Sequence, residues 1–189
     1  MPSPLGHILG GLAAGWLVAG RSTAGEARDH GADPSSAPSR PSRDASAFGA
    51  LGAAPDLDLL VGLHSMYTHS VGAAALVAAA AYAMRGERRA RWAVACGAAI
   101  ASHILLDWLG SDTTPPIGIM ALWPFSSGFY QSSLWLFPAV SRRFGEWSFV
   151  TQNLRAVVWE LVLLLPITIA IGWVRRRPIT RLRELPRSP

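Results

Sequence analysis

Four histidines and three acids carry the chemistry available to this chain: His7, His64, His69, His103, Asp56, Asp58 and Asp107, all in or beside uncharged stretches. The fifth histidine, His30, lies in a polar stretch and is read as solvated. An ionisable group at membrane depth is costly, so each of the seven is a functional candidate. In Ser102-His-Ile-Leu-Leu-Asp107, the histidine and the acid stand four residues apart. On a helix they share a face and reach one point. Imidazole with carboxylate suits a divalent metal. A single buried His–Asp hydrogen bond is the plainer alternative.

Asp56 and Asp58 stand in Pro55-Asp-Leu-Asp, followed by His64 and by Tyr67-Thr-His69-Ser. Along one straight helix Asp58 and His69 would lie about 16 Å apart, too far for one ion. The acids must therefore sit in a turn that folds back, with a helix opening near Ser65 as its N-cap. Capping of a helix N-terminus explains one of these acids well and two less well. His7 heads a stripe with Gly11 and Gly15, and small residues at that spacing let a neighbouring helix approach closely. The metal-ligand candidates are His7, Asp58, His69, His103 and Asp107. Asp56 and His64 are the candidates for a catalytic general base. Three histidines with three carboxylates suffice for one zinc ion, or for two sharing a carboxylate.

The elements that position these residues follow from where charge is missing. Of 189 residues only 15% are charged, against about 25% in a soluble domain. There is no lysine, and Cys96 alone excludes a disulfide framework. High apolar content excludes a wholly disordered chain. Four apolar stretches, about 4–20, 62–84, 92–110 and 156–174, approach the roughly 20 residues of a membrane span. The fold expected is all-α, an integral membrane bundle of about four helices. Residues 1–20 have no positive n-region and are read as retained rather than as a signal peptide. Residues 21–54, rich in Ser, Pro, Gly and Ala, read as a flexible linker in which Pro34, Pro38 and Pro41 block a helix. The stretch 111–155 reads as an irregular cap, and its part 113–141 is uncharged and broken by prolines, with Trp123, Phe125, Tyr130 and Trp135 at the interface. Residues 1–174 form one domain and 175–189 a basic tail.

Arginine bias around 85–91 and at 175–177 places both stretches in the cytoplasm. A simple first span would then start His7 on the side opposite Asp56 and Asp58. The first helix is re-entrant, or the bundle is only partly immersed, or His7 lies outside the site. The sequence leaves all three open. Glu160 reads as a residue that snorkels outward or pairs with Arg155.

The order His7, Pro55-Asp-Leu-Asp58, His64 with Tyr67-Thr-His-Ser70, Ser102-His-Ile-Leu-Leu-Asp107 and Leu122-Trp-Pro-Phe125 resembles a family of inner-membrane-associated metal-dependent hydrolases. These are also labelled LexA-binding membrane hydrolases. The likeness covers about residues 1–126 without the linker. The family pattern has an arginine after the histidine matching His64, where this chain has Ser65. The resemblance implies a helical inner-membrane protein with a metal centre and hydrolase activity. A site at the membrane surface, roofed by Trp123 to Phe125, suits an ester or phosphoester of a lipid or other small amphiphile. Two other uses remain: a metal transporter or sensor with the same ligands, and a scaffold for a regulatory protein partner. The arginine tail suits anionic lipid head groups. It is short and lacks interleaved aromatics, so no nucleic-acid partner is expected.

Overall fold

A computed structural model describes residues 1–20, 40–62, 64–84, 89–143 and 145–176. Among them are five α-helices: α1 (Pro4–Ala19), α2 (Arg40–Ala53), α3 (Val71–Met84), α4 (Arg89–Leu109) and α5 (Ser148–Arg176). Two 3-10 turns, Ala54–Leu60 and Tyr67–His69, link α2 to α3. The described residues contain no β-strand beyond two isolated bridges, Gly110 with Phe137 and Ile119 with Tyr130. The all-α expectation holds.

The stretch expected to be a linker divides. Residues 21–39 lie outside those described, whereas 40–53 form α2. Pro41 does not block this helix because it falls in the first turn, where a missing N–H is no loss. α2 covers the glycine stripe of α1 in antiparallel register. A Cβ on Gly11 would stand 2.5 Å from the Phe48 carbonyl oxygen, and one on Gly52 2.3 Å from that of His7. Gly15 takes the Phe48 ring, which is fully buried. The neighbour helix implied by the stripe is therefore α2. By running back along α1, it returns the chain to His7 and sets Asp56 beside it.

Residues 62–84 are not one helix. Ser65 does not cap α3 and instead has a φ of 69°. The cap is Ser70, whose Oγ accepts from the Ala73 amide at 3.1 Å. α3 then has 14 residues, about 21 Å, short of a hydrocarbon core of about 30 Å. Its first amides are satisfied by the irregular segment after α4, Val71 N–H by Ala121 O and Gly72 N–H by Trp123 O, both at 2.9 Å. That segment ends at 147 rather than 155, because α5 begins at Ser148.

Two helices are long and apolar enough to cross a membrane, Ala90–Leu109 and Ser148–Arg176. In α4 half of that window is buried, but in α5 only 11% is. A bare apolar helix of this length suits lipid on most of its circumference. α4 packs at the centre, with Ala95, Cys96 and Ala99 against Phe48, and Ile100 and Ile104 against Met1 and Ile119. Glu160 of α5 neither snorkels nor pairs with Arg155. It is fully buried and accepts from the Ser3 amide at 2.7 Å and from the Ser3 hydroxyl. The orphan amides and positive dipole end of α1 make that the favourable place for a carboxylate. The tail beyond 176 lies outside the described residues.

Candidate metal centre

All seven residues with chemical potential meet at one end of the bundle. His7 comes from the first turn of α1, Asp56 and Asp58 from the first 3-10 turn, and His64 from the turn after it. His69 ends the second 3-10 turn, and His103 and Asp107 come from the last two turns of α4. The i,i+4 pair converges as its spacing predicts, with His103 Nε2 3.1 Å from Asp107 Oδ2. His69 Nε2 lies 3.3 Å from the same oxygen, and His7 Nε2 3.3 Å from Asp107 Oδ1. Asp56 faces all three imidazoles at 3.8 to 4.0 Å. The His7 and His103 rings stack at 3.7 Å.

These side chains are sealed: His7, His69 and His103 are 0% exposed and Asp107 1%. Yet the Nε2 atoms of all three histidines and both Asp107 oxygens lack a hydrogen-bond partner. Nitrogen and oxygen approach closely without the alignment of a hydrogen bond, so these atoms face a shared space. A buried polar atom without a partner costs about 1–3 kcal/mol. Five in one place point to a group that all of them bind. Two triads satisfy ligand spacing, His7/His103/Asp107 and Asp56/His64/His69, each with its ligand atoms within 4.8 Å of one another. This donor set fits a divalent ion.

A second layer fixes the tautomers. His103 Nδ1 donates to the Gly52 carbonyl at 2.7 Å, leaving Nε2 to face the cluster. His69 Nδ1 lies 3.2 Å from Asp58 Oδ2, which also accepts from the Thr68 hydroxyl at 2.5 Å. Asp58 Oδ1 takes His64 Nδ1 at 2.8 Å. Asp58 thus stands behind His69 and His64, a different place from the ligand position its spacing suggested. Gly52 and Thr68 have no role in the sequence reading. A backbone carbonyl leaves no signal there, and Thr68 was visible only as part of the Tyr67-Thr-His69 motif.

The turns that carry these groups lie outside the two candidate spans, and their titration reflects the crowding. Burial opposes protonation of His69, but the Asp56 and Asp58 carboxylates outweigh it and raise its pKa to about 9. Burial also opposes ionisation of Asp58, yet bonds from His69, Thr68 and His64 lower it to about 2. Asp56 is held below the usual carboxylate range by His69, His103 and His7, against its burial. His64 is pushed down, mainly by burial.

The model of a family described as YdjM inner membrane protein matches residues 1–179. No curated protein and no solved structure matches the chain.

Proposed function

Since the chain belongs to the YdjM inner membrane protein family, we propose that its buried cluster is the metal centre of a hydrolase working at the membrane face. The observation that carries this reading is the set of unpartnered Nε2 atoms of His7, His69 and His103 facing the unpartnered oxygens of Asp107. These four residues would hold the ion. Asp58 orients His69 instead of binding directly. The nitrogen-rich donor set favours zinc, and the two triads accommodate one ion or two. A bound divalent ion supplies a water acidified toward pH 7 and polarises the scissile ester or phosphoester.

The chain's own residues do the rest. Asp56, 18% exposed against 1% for Asp107, is the carboxylate that solvent reaches and serves as general base. His64, 11% exposed, is the other base. Beside the acids the first 3-10 turn turns Leu57, Leu60 and Val61 outward, and Phe125 projects from the segment after α4. An exposed apolar lip next to a polar site suits an amphiphile, with its acyl part in lipid and its head group at the cluster. The protein acts in the inner membrane as a multi-pass protein that α4 and α5 cross. Arg175 and Arg176 at the end of α5 favour a cytoplasmic C-terminus. Membrane lipid is the first partner, and a regulatory protein a further one.

The test is metal analysis of the full chain purified in mild detergent without chelator, with a screen of esters and phosphodiesters. Stoichiometric zinc and turnover are expected. Full zinc retention in a His69→Ala, His103→Ala double variant would sink the ligand assignment. Metal uptake into sealed vesicles without turnover would replace hydrolysis by transport.

A further inference from the structure

A polar cleft of about 130 Å³ opens beside the cluster, lined by His64, Ser65, Asp112, Thr114 and Arg142 among others. Arg142 reaches it from the segment between α4 and α5, where the backbone of the preceding Ser141 is held in place. The Ser141 amide donates to Asn153 Oδ1 at 2.6 Å, and Asn153 Nδ2 donates back to the Ser141 carbonyl at 3.1 Å. The exposed guanidinium then sets Nη2 2.6 Å from His64 Nε2 and 3.8 Å from Met1 Sδ. Because His64 Nδ1 donates to Asp58 Oδ1 at 2.8 Å, Nε2 carries the lone pair that receives this N–H.

Two facts leave the guanidinium open to an anion. Among the described residues no carboxylate pairs with Arg142, whereas the adjacent Arg143 lies 3.5 Å from Glu146. The one acid lining the cleft, Asp112, has both oxygens committed to backbone amides. Oδ1 accepts from Thr114 at 3.1 Å and Oδ2 from Gly118 at 3.0 Å. A guanidinium presents five donors in a fork, and among the described residues this one uses only Nη2, on His64 and Met1. The cleft volume equals that of roughly four waters at about 30 Å³ each, room for one small oxyanion. Ser65 and Thr114 on its walls bring hydroxyl groups beside it, and a phosphate has more oxygens than a carboxylate to share between them and the guanidinium.

We propose that this cleft is a subsite for the phosphate group of the substrate, with Arg142 as its binding residue. Its role in turnover rests on the hydrolase reading above, though binding does not. His64 joins the subsite to the cluster, since it touches Arg142 on one side and Asp58 on the other. When the guanidinium turns onto a phosphate it releases His64 Nε2, and that lone pair becomes free beside the bound group. The phosphate comes either from a lipid head group or from a small soluble phosphoester.

The test is calorimetric titration of the full chain, zinc-loaded and in neutral detergent, with inorganic phosphate, a short-chain phosphatidic acid and acetate. Arg142→Gln weakens both phosphate ligands at least tenfold, Arg142→Lys less, and Arg143→Gln leaves them unchanged. Melting temperature and zinc content stay at the wild-type value in all three. Tighter binding of phosphatidic acid than of phosphate identifies a lipid head group, and equal binding identifies a soluble phosphoester. Either outcome supports the subsite. Unchanged binding in Arg142→Gln, equal loss in Arg143→Gln, or acetate binding as well as phosphate overturns it. The titration is repeated on chelator-treated protein, where Arg142-dependent binding persists. Such binding in a protein that never takes up zinc would leave the subsite standing and remove the hydrolase. Zinc retention with binding indifferent to Arg142 would do the reverse.

Discussion

At the scale of single residues, a metal at the proposed centre would contest with protons for the same lone pairs. In the metal-free protein His69 keeps its proton to about pH 9. An ion must expel that proton, so metal affinity rises with pH to about 9, by about tenfold per unit for one proton released. Competition titrations with a zinc indicator between pH 6 and 9 measure the slope, and a flat profile contradicts it. Stability of the metal-free protein follows the opposite sign. A histidine whose folded pKa lies above its unfolded 6.5 stabilises fully below 6.5, and that stability is lost as pH rises through about 9. Asp58, depressed from 3.8 to about 2, stabilises above 3.8 and loses that contribution as pH falls through about 2. Together these two groups favour the range between about pH 4 and 6.5, while His64, pushed down by burial, works against its acid side. Thermal melts of chelated protein therefore decline from about pH 6.5 toward pH 9, and zinc-loaded protein does not show that decline. Removing a second-layer partner has a graded effect. Asp58→Asn keeps the fold and weakens zinc binding by about 10–100-fold, read by the same indicator.

At the scale of elements, two contacts make the difference between a pile of apolar helices and a site. α1 and α2 meet backbone to backbone at Gly11 and Gly52, where a Cβ on either has no room. Gly11→Leu must part the helices, and α2 then withdraws the Gly52 carbonyl from His103. The variant loses melting temperature and zinc stoichiometry together, although no ligand has changed. Phe48→Ala empties the fully buried place beside Gly15, at a cost of about 3–5 kcal/mol, but leaves the glycine contact and some zinc binding. The second contact is Glu160 of α5 against Ser3 at the head of α1. Glu160→Ala leaves a buried amide and hydroxyl unpartnered, a loss of about 1–3 kcal/mol, seen as a lower melting temperature. These roles were partly hidden in the sequence. The glycine stripe announced a partner helix but not which one. Its partner was masked by prolines that stop a helix only when they fall beyond its first turn.

At the scale of the whole molecule, α5 presents nearly all its apolar surface outward, including Trp159, Val162, Ile167 and Ile169. A charge at the middle of such a face, as in Val162→Arg, costs about 2.5–3.5 kcal/mol of insertion. It should shift protein out of the carbonate-resistant membrane fraction, and an unchanged fraction would show that α5 does not face lipid. The sequence by itself determined the helical class, the poverty of charge in the helices, and which carboxylates and imidazoles are candidates, because burying an ionisable group is costly wherever it occurs. The pairing of His103 with Asp107 was legible too, since four residues on a helix is a local distance. What only the tertiary structure decided is long-range: that α2 carries the chain back to His7, that Asp58 backs His69, that Glu160 holds α1, and that Arg142 reaches His64 from 78 residues away. Spacing along a chain fixes distances within one element. Between elements the distances are set by which surfaces close on each other, and here a glycine with no side chain decided that.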